Sequence, residues 1–167
     1  MKPLKKLLQE QMLVQKSKQF IVKCKRVVCF IALPLIAVTS FAQVDADDIV
    51  GVWLTNGKEP AKIQIYKSGE RYYGKIVWLK NPTDNGKLKL DKNNPEKTKR
   101  NQPIAGLVIL KGFRFDDDEW GDGDIYDPES GKTYSSYMYL KDWNTLRVRG
   151  YVGISLLGRT ETWTRAN

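Results

Sequence analysis

Apolar and polar residues alternate along most of the chain beyond residue 48, and the alternation is clearest near its end. Leu146 and Val148 alternate with arginines, and threonines alternate with larger side chains from residue 159 onward. A period of two places neighbouring side chains on opposite faces of a β-strand. The stretch therefore predicts two strands, and one face of the second carries charged and aromatic residues together: Arg159, Glu161, Trp163 and Arg165.

Similar short runs recur at close spacing and predict eight strands, separated by turns rich in Gly, Pro, Asn and Asp. The predicted strands span residues 49–54, 61–67, 72–79, 107–115 with a kink at Gly112, 120–126, 132–140, 145–152 and 159–165. Residues 44–48 are predicted to form an acidic, frayed start. No run has the periodicity of an amphipathic helix. We expect an all-β fold, a single antiparallel up-and-down barrel of about eight strands, with a β-sandwich as the alternative.

The alternation is lost from Lys80 to Gly106, a segment with three prolines and many Asn and Asp residues. Six basic residues lie between Lys87 and Arg100. A loop of this length inside a compact domain is usually a lid, a binding loop or a solvated excursion, and the pattern alone does not choose among them.

The net charge of +9 is concentrated at the start of the chain. Residues 1–42 contain eight Lys or Arg and one Glu, whereas residues 43–167 contain 20 basic and 18 acidic residues. A nearly neutral domain does not present the basic surface that neutralises nucleic-acid phosphates. We therefore predict no nucleic-acid partner.

Residues 1–42 have the organisation of a signal peptide: a basic region, the apolar run Val27–Val38, and small residues at Ser40 and Ala42 that suit cleavage after Ala42. The run of twelve residues is shorter than the roughly 18–20 that span a bilayer, although an uncleaved anchor is the alternative. The expectation is an exported protein, periplasmic or secreted. Its folded domain at 43–167 would have no membrane span after cleavage.

Both cysteines, Cys24 and Cys29, lie in the leader, and the chain has no histidine. The domain therefore lacks disulfides, thiol or imidazole nucleophiles, and the ligands of nearly every zinc site. No other catalytic constellation is evident. We predict that the protein is not an enzyme and that it carries no cofactor.

Acidic residues are dense between Asp116 and Glu129, and carboxylate oxygens are ligands for calcium. Their spacing does not match an EF-hand loop, which also needs glycine at another place. Charged hairpin tips also discourage pairing of sheet edges between molecules. We therefore predict no metal site here.

Several short motifs are shared with one bacterial family: Gly51-Val52-Trp53, Tyr73–Val77, Asp91 with Asn94-Pro95, Arg100-Asn101 with Pro103 and Gly106, Gly123–Pro128, Gly131–Tyr134, Arg149–Tyr151, Gly158–Thr160 and Trp163. From about Val50 to Arg165 the chain resembles the uncharacterised family known as domain of unknown function 2147 (DUF2147). The family commonly has an arginine just before Pro103, where this chain has Gln102. The resemblance implies an exported single domain and no established activity.

A second resemblance is to lipocalin-type (calycin) barrels, which begin with a Gly-x-Trp strand such as Gly51 to Trp53. In those barrels the tryptophan closes one end and stacks on a basic residue of the last strand. The resemblance implies that Arg165 or Arg159 stacks on Trp53, a cation–π contact of about 0.5–2 kcal/mol. The expected barrel-closing residues are Gly51, Trp53, Trp163 and Arg165.

Two orientations are open for Arg159 and Glu161. Inside the barrel, the arginine offers a bidentate grip on a ligand carboxylate or phosphate. Outside, both charges remain in water, which the cost of burying charge favours. The aromatic residues likewise either line a cavity or fill a small barrel. The candidate ligand-binding set is Arg159, Glu161, Tyr137, Tyr139 and Trp78.

These observations favour an exported, non-enzymatic barrel that binds a small apolar or amphipathic ligand. The alternative is an envelope interaction protein that docks a protein or polymer through residues 80–106. A cavity of several hundred Å³ would support the first function. A solid barrel with an exposed apolar patch would support the second.

Overall fold

The computed structural model describes residues 43–166, so the predicted signal peptide at 1–42 lies outside the described residues. The strands are β1 Gly51–Thr55, β2 Ala61–Ser68, β3 Arg71–Leu79, β4 Thr83–Asp84, β5 Lys87–Leu88, β6 Val108–Asp116, β7 Glu119–Asp127, β8 Lys132–Asp142, β9 Thr145–Tyr151 and β10 Gly158–Ala166. Short 3-10 helices lie at Ala46–Ile49 and Lys97–Lys99. In residues 43–166 no helix has the length and apolar character needed to cross a membrane.

Eight strands form a closed barrel in the order β1-β10-β9-β8-β7-β6-β3-β2, and every pair is antiparallel. The ring closes at β1, where Trp53 lies opposite Ile63 of β2 on one side and Arg165 of β10 on the other. Closure leaves no free sheet edge, and it excludes the sandwich. The predicted all-β barrel of eight strands is confirmed.

Two strands lie where the alternation was lost, because β4 and β5 pair as a small separate hairpin within residues 80–106. Farther on, the expected kink at Gly112 does not divide β6, although Gly112 has a left-handed φ of 74°. Glycine adopts this conformation without a side-chain clash, so the strand continues through it.

The alternation predicted from sequence becomes the inner and outer faces of the barrel wall. Ala61, Ile63 and Ile65 of β2 are buried, as are Leu146 and Val148 of β9. These side chains meet inside one continuous apolar core that belongs entirely to residues 44–163. Since this segment has a closed hydrogen-bonded wall and its own core, we expect the chain from residue 43 onward to fold by itself.

The two ends of the barrel differ. The closed end is formed by the 46–49 helix and by the β2–β3, β6–β7 and β8–β9 hairpin turns. The open end is formed by the connections at residues 56–60, 80–107, 128–131 and 152–157. Near the closed end, Trp53, Trp120 and Phe113 are wholly buried, with Tyr72 at 2% exposure. Gly123 permits this packing, since a Cβ there would overlap the Phe113 ring.

Candidate functional site

The 3-10 helix at residues 46–49 plugs the closed end. Ile49 is completely buried, and its carbonyl accepts the Trp53 Nε1–H at 2.8 Å. The Trp120 Nε1–H donates to the Ala46 carbonyl at 3.0 Å. The expectation of a frayed start is therefore wrong for residues 46–48, and Ile49 ends this helix instead of beginning β1, because two core indoles hold the backbone.

Arg165 stacks between two indoles at this end. Its guanidinium carbon lies 4.2 Å from the Trp53 ring centroid and 4.3 Å from that of Trp143. The same group donates to the carbonyls of Trp143, Val50 and Asp48 at 2.8, 3.2 and 2.7 Å. Desolvation lowers the pKa of Arg165, although Asp48 opposes the shift. Of the two arginines considered, Arg165 therefore occupies the position over Trp53.

Gly51 leaves room for that arginine. A Cβ at Gly51 would lie 3.0 Å from Arg165 Nη1, and its φ of 145° is one that other residues rarely adopt. The Gly-x-Trp pattern therefore has a local reason in this barrel: the glycine admits the guanidinium and Trp53 supplies the ring beneath it.

Asp47 ties the 46–49 helix to two strands. Its Oδ1 accepts the Tyr72 hydroxyl at 2.5 Å and the Lys67 ammonium at 2.8 Å. The hydrogen bonds from Lys67 and Tyr72 lower the pKa of Asp47. Burial, followed by the bond to Asp47, raises the pKa of Tyr72.

The opposite half of the barrel contains a cavity of about 1000 Å³ that reaches the open end. Its apolar lining residues come from strands around the ring: Ile63, Ile76, Ile109, Ile125, Val148 and Trp163. Charged residues of both signs, from the open-end connections and the adjacent strand ends, line its mouth: Lys58, Glu59, Asp84, Lys89, Lys92, Asp127, Glu129, Arg159 and Glu161. The cavity therefore has an apolar base and a charged rim.

Arg159 and Glu161 face the interior. Glu161 lies opposite Val148 and Arg159 lies opposite Gly150, and all four line the cavity. This corrects the preference for an outward position. Arg159 keeps most of its hydration because it lies at the open mouth, where its side chain is 84% exposed, whereas Glu161 lies deeper and is 39% exposed.

The pair is loosely coupled. Arg159 Nη2 is 3.7 Å from Glu161 Oε1, whereas Glu161 Oε2 accepts the Trp163 Nε1–H at 3.2 Å. Trp163 was expected among the closing residues. It is instead a buried residue that lines the cavity, opposite Leu146 of β9 and Thr55 of β1.

Tyr137, Tyr139 and Trp78 lie outside the barrel and do not line the cavity. The inward residues of β8 are Ser136 and Met138, so Tyr137 and Tyr139, which alternate with them, face outward. Their rings lie 6.5 Å apart on the outer wall. Trp78 lies opposite Lys62 beside a β-bulge in β3 and is 43% exposed.

The structure thus divides the predicted ligand-binding set, leaving only Arg159 and Glu161 at the cavity. Sequence reasoning missed Tyr134 and Ile125, which face each other across β7 and β8 and line the cavity. Tyr134 lies two residues before Ser136 and four before Met138, so it shares their inward face, and this period of two was the signal that could have identified it.

The loop at residues 80–106 is anchored to the barrel by a buried polar cluster. Asp91 is fully buried, and its carboxylate accepts the Tyr126 hydroxyl and the Asn94 amide, both at 2.6 Å. Burial and the adjacent Asp91 raise the pKa of Tyr126 well above its ordinary value. The anchor brings Leu90 and Ile104 to the cavity, so this loop forms part of its wall.

The connection between β9 and β10 exposes four apolar side chains, which we call the apolar tip: Val152, Ile154, Leu156 and Leu157. Val152 and Leu157 also line the mouth of the cavity. From the sequence, Val152 was predicted to end one strand and residues 153–158 to connect it to the next. The signal for the apolar tip was the four apolar residues among the six of 152–157.

The acidic segment from Asp116 to Glu129 does not form a compact cluster. Its residues are instead spread along the length of β7, from the closed end to the open end. Burial raises the pKa of Glu119, and the charge of Asp118 adds to the shift. Among residues 43–166, no group of three or more carboxylate, thiol or imidazole side chains is placed to hold a metal ion.

The family model described as uncharacterised proteins conserved in bacteria (DUF2147) matches residues 51–165. This confirms the first resemblance. The matched segment contains the eight barrel strands, the anchored loop and the apolar tip. No curated protein matches the chain significantly.

Among solved structures, the barrel is similar to protein HP1028 from the human pathogen Helicobacter pylori, which is described as belonging to the lipocalin family. The TM-score is 0.63 at 22% sequence identity, and the match covers 71% of this chain and 82% of that chain. At this identity the likeness shows the fold alone. It confirms the lipocalin-like barrel.

Proposed function

The chain belongs to this family of uncharacterised bacterial proteins, and we propose that it is an exported, non-enzymatic barrel that binds one small amphipathic ligand. The cavity of about 1000 Å³ is the observation that carries the proposal. Pockets for small ligands are usually about 300–1000 Å³, mostly apolar, with a few polar groups that orient the ligand. A cavity with an apolar base and a charged rim has this character.

The base of the cavity suits an apolar chain or ring. Ile63, Ile76 and Ile109 contribute aliphatic surface from three different strands. Transfer of apolar ligand surface from water into such a site is favourable by about 25 cal/mol per Å². The apolar part of the ligand therefore lies at the base.

Four cations and five carboxylates line the rim, and Arg159 is the group among them that favours an anionic head group. Arg159 has an exposed guanidinium with only a distant contact to Glu161, which already accepts the Trp163 N–H. The charge of Glu59 is engaged by Lys89 at 3.0 Å. A guanidinium binds carboxylate or phosphate through two parallel hydrogen bonds. The favoured ligand is a small lipid-like molecule with such a head.

Export and the absence of catalysis are supported by composition. A signal-like leader precedes the domain, and the domain itself contains neither cysteine nor histidine. The cavity is consequently lined without a thiol or an imidazole, the commonest side chains for nucleophilic and acid–base catalysis.

Cavity binding is tested with the fluorescent probe anilinonaphthalene sulfonate, displaced by dodecanoate. Leu79 lines the cavity and Val77 is an exposed residue of the same strand. Leu79→Trp should weaken both probe and dodecanoate binding about tenfold, which corresponds to about 1.4 kcal/mol. Val77→Trp is the matched control and should bind as the unmodified protein does. Equal affinity of all three proteins would contradict binding inside the barrel.

The head-group assignment is tested by comparing dodecanoate, dodecanol and dodecylammonium. Dodecanoate should bind most tightly, and Arg159→Ala should remove most of its advantage over dodecanol. Arg147→Ala removes the same charge from outside the cavity lining and should leave that advantage intact. Preferential binding of dodecylammonium would show that Glu161, rather than Arg159, meets the head group.

Docking of a protein or envelope polymer through residues 80–106 is the second candidate function. It is favoured by the seven basic and three acidic residues of this segment, most of them exposed. Native mass spectrometry of the protein purified from its own host distinguishes the two. A reproducible small-molecule adduct supports ligand binding, whereas a captured protein or polymer without any adduct supports docking.

A further inference from the structure

We propose that the open end of the barrel docks on an anionic lipid surface, with the apolar tip inserted among the lipid head groups. Basic side chains around the open end would contact lipid phosphates. This docking is a different event from the binding of one ligand inside the cavity, although Lys58, Lys92, Val152 and Leu157 lie at the mouth and belong to both surfaces.

The apolar tip is the first observation. Leu156 is 82% exposed, Leu157 68%, Val152 66% and Ile154 60%. Single exposed aliphatic residues are common on protein surfaces, but four within six consecutive residues form a local apolar projection. None of the four belongs to the barrel core.

The backbone of the tip is already hydrogen-bonded. Arg149 donates from Nε to the Ser155 carbonyl at 2.8 Å and from Nη2 to the Leu156 carbonyl at 3.3 Å. Within the connection, the Leu157 N–H donates to the Ile154 carbonyl at 3.1 Å. Unsatisfied backbone groups are costly in a lipid environment. These bonds reduce that cost for a shallowly inserted tip.

Charge distribution is the third observation. Exposed lysines that make no salt bridge within residues 43–166 surround the open end: Lys58, Lys80, Lys87, Lys92 and Lys97. The closed end carries mostly acidic side chains: Asp45, Asp47, Asp48, Asp116, Asp117, Asp118, Glu119 and Asp142. An anionic membrane attracts lysines near its surface and repels carboxylates. The open-end connections also carry carboxylates, but their eight basic residues outnumber their five acidic residues, so the field orients the open end toward the lipid.

The side-chain chemistry favours lipid over a protein partner. Protein interfaces are enriched in aromatic residues and arginine and depleted in lysine. The apolar tip is wholly aliphatic, and most of the exposed cations of the open end are lysines, with Arg100 and Arg159 as the exposed arginines. Interfacial binding to lipid needs only apolar area and positive charge, without a fixed pattern of hydrogen bonds.

The test uses the chain from residue 43 onward, which has the complete wall and core. Its flotation is compared between vesicles of phosphatidylcholine alone and vesicles of phosphatidylcholine with an equal amount of phosphatidylglycerol. Binding should require the anionic lipid and should weaken as salt is raised, because salt screens surface charge. Leu156→Asp should reduce vesicle affinity about tenfold or more, as should the double variant Lys58→Glu with Lys92→Glu.

Matched controls at the opposite end are Val50→Asp, which alters an exposed apolar residue, and Lys141→Glu, which reverses an exposed charge. Both should bind vesicles as the unmodified protein does. The proposal is overturned if neither vesicle is bound, if the two control variants lose as much affinity as the open-end variants, or if the open end instead captures a protein without binding lipid. Displacement of anilinonaphthalene sulfonate by dodecanoate without vesicles reports separately on the cavity.

Discussion

The two ends of this barrel are built from the same eight strands but are filled in opposite ways. At the closed end, Trp53, Trp120 and Phe113 are wholly buried, and a single 3-10 helix covers them. At the open end, the same strands carry isoleucines, valine and glycine around a cavity of about 1000 Å³. The comparison shows that side-chain size and one plugging helix decide which end packs, since the wall itself is continuous.

The two ends also differ in the number of contacts that they make with their arginine side chain. Arg165 is held by two indoles and three carbonyls, whereas Arg159 has one distant carboxylate. A fully engaged guanidinium stabilises the fold, and a loosely engaged one is available to a ligand. We therefore expect stability to reside at the closed end and binding at the open end.

The largest expected effect comes from removing the closing indole. Trp53→Ala should lower the free energy of unfolding by about 3–5 kcal/mol, because a buried ring is lost and a cavity remains. Leu157→Ala at the exposed apolar tip should change it by no more than about 0.5 kcal/mol. Urea unfolding of both variants measures the difference. Comparable losses would remove the distinction between the ends.

Arg165→Ala should lower the free energy of unfolding by about 2 kcal/mol, since it removes charge-assisted hydrogen bonds and a cation–π contact. Arg165→Lys should recover little of this, because an ammonium cannot reproduce the planar fork between two rings. Arg159→Ala should leave the urea midpoint nearly unchanged. Full recovery by lysine would mean that charge alone, without stacking, stabilises the closed end.

Tyr126→Phe tests the anchor of the loop at residues 80–106. It should lower the free energy of unfolding by about 1–2 kcal/mol, because buried Asp91 loses a hydrogen bond. The raised pKa of Tyr126 means that its contribution is complete below pH 10 and declines as pH rises above 10 toward the folded-state pKa. When urea midpoints are measured below and above pH 10, the midpoint should therefore fall less with rising pH in Tyr126→Phe than in the unmodified protein. Tyr72 supplies part of the remaining alkaline decline, since its pKa is also raised. An unchanged alkaline decline in the variant would assign the effect elsewhere.

The smallest expected effect is at exposed Asp47. Its lowered pKa means that its contribution is present above pH 3.8 and is lost as pH falls below this value. Asp47→Asn should therefore reduce acid sensitivity slightly, seen as a smaller drop in the thermal midpoint on acidification. Asp117→Asn, at a carboxylate without a side-chain hydrogen bond among residues 43–166, should leave the acid profile unchanged.

Sequence alone was sufficient for the eight barrel strands, although not for the short β4 and β5, because alternation is a local property. The runs around Ile63, Val148 and Trp163 predicted strands with two unlike faces, and the eight strands close into the barrel expected of them. The Gly-x-Trp start also predicted a stacked basic residue on the last strand. These features depend on residues that are neighbours in sequence or that belong to one recurring motif.

Tertiary structure decided which face is inside and which groups meet. A period of two defines two faces without saying which one is buried, so Arg159 and Glu161 became cavity residues only through pairing with Gly150 and Val148. The bulge in β3 turned Trp78 outward. Asp91 and Tyr126 are 35 residues apart and meet only because the long loop folds back on β7. Contacts over such separations depend on the closure of the whole ring, which no local pattern contains.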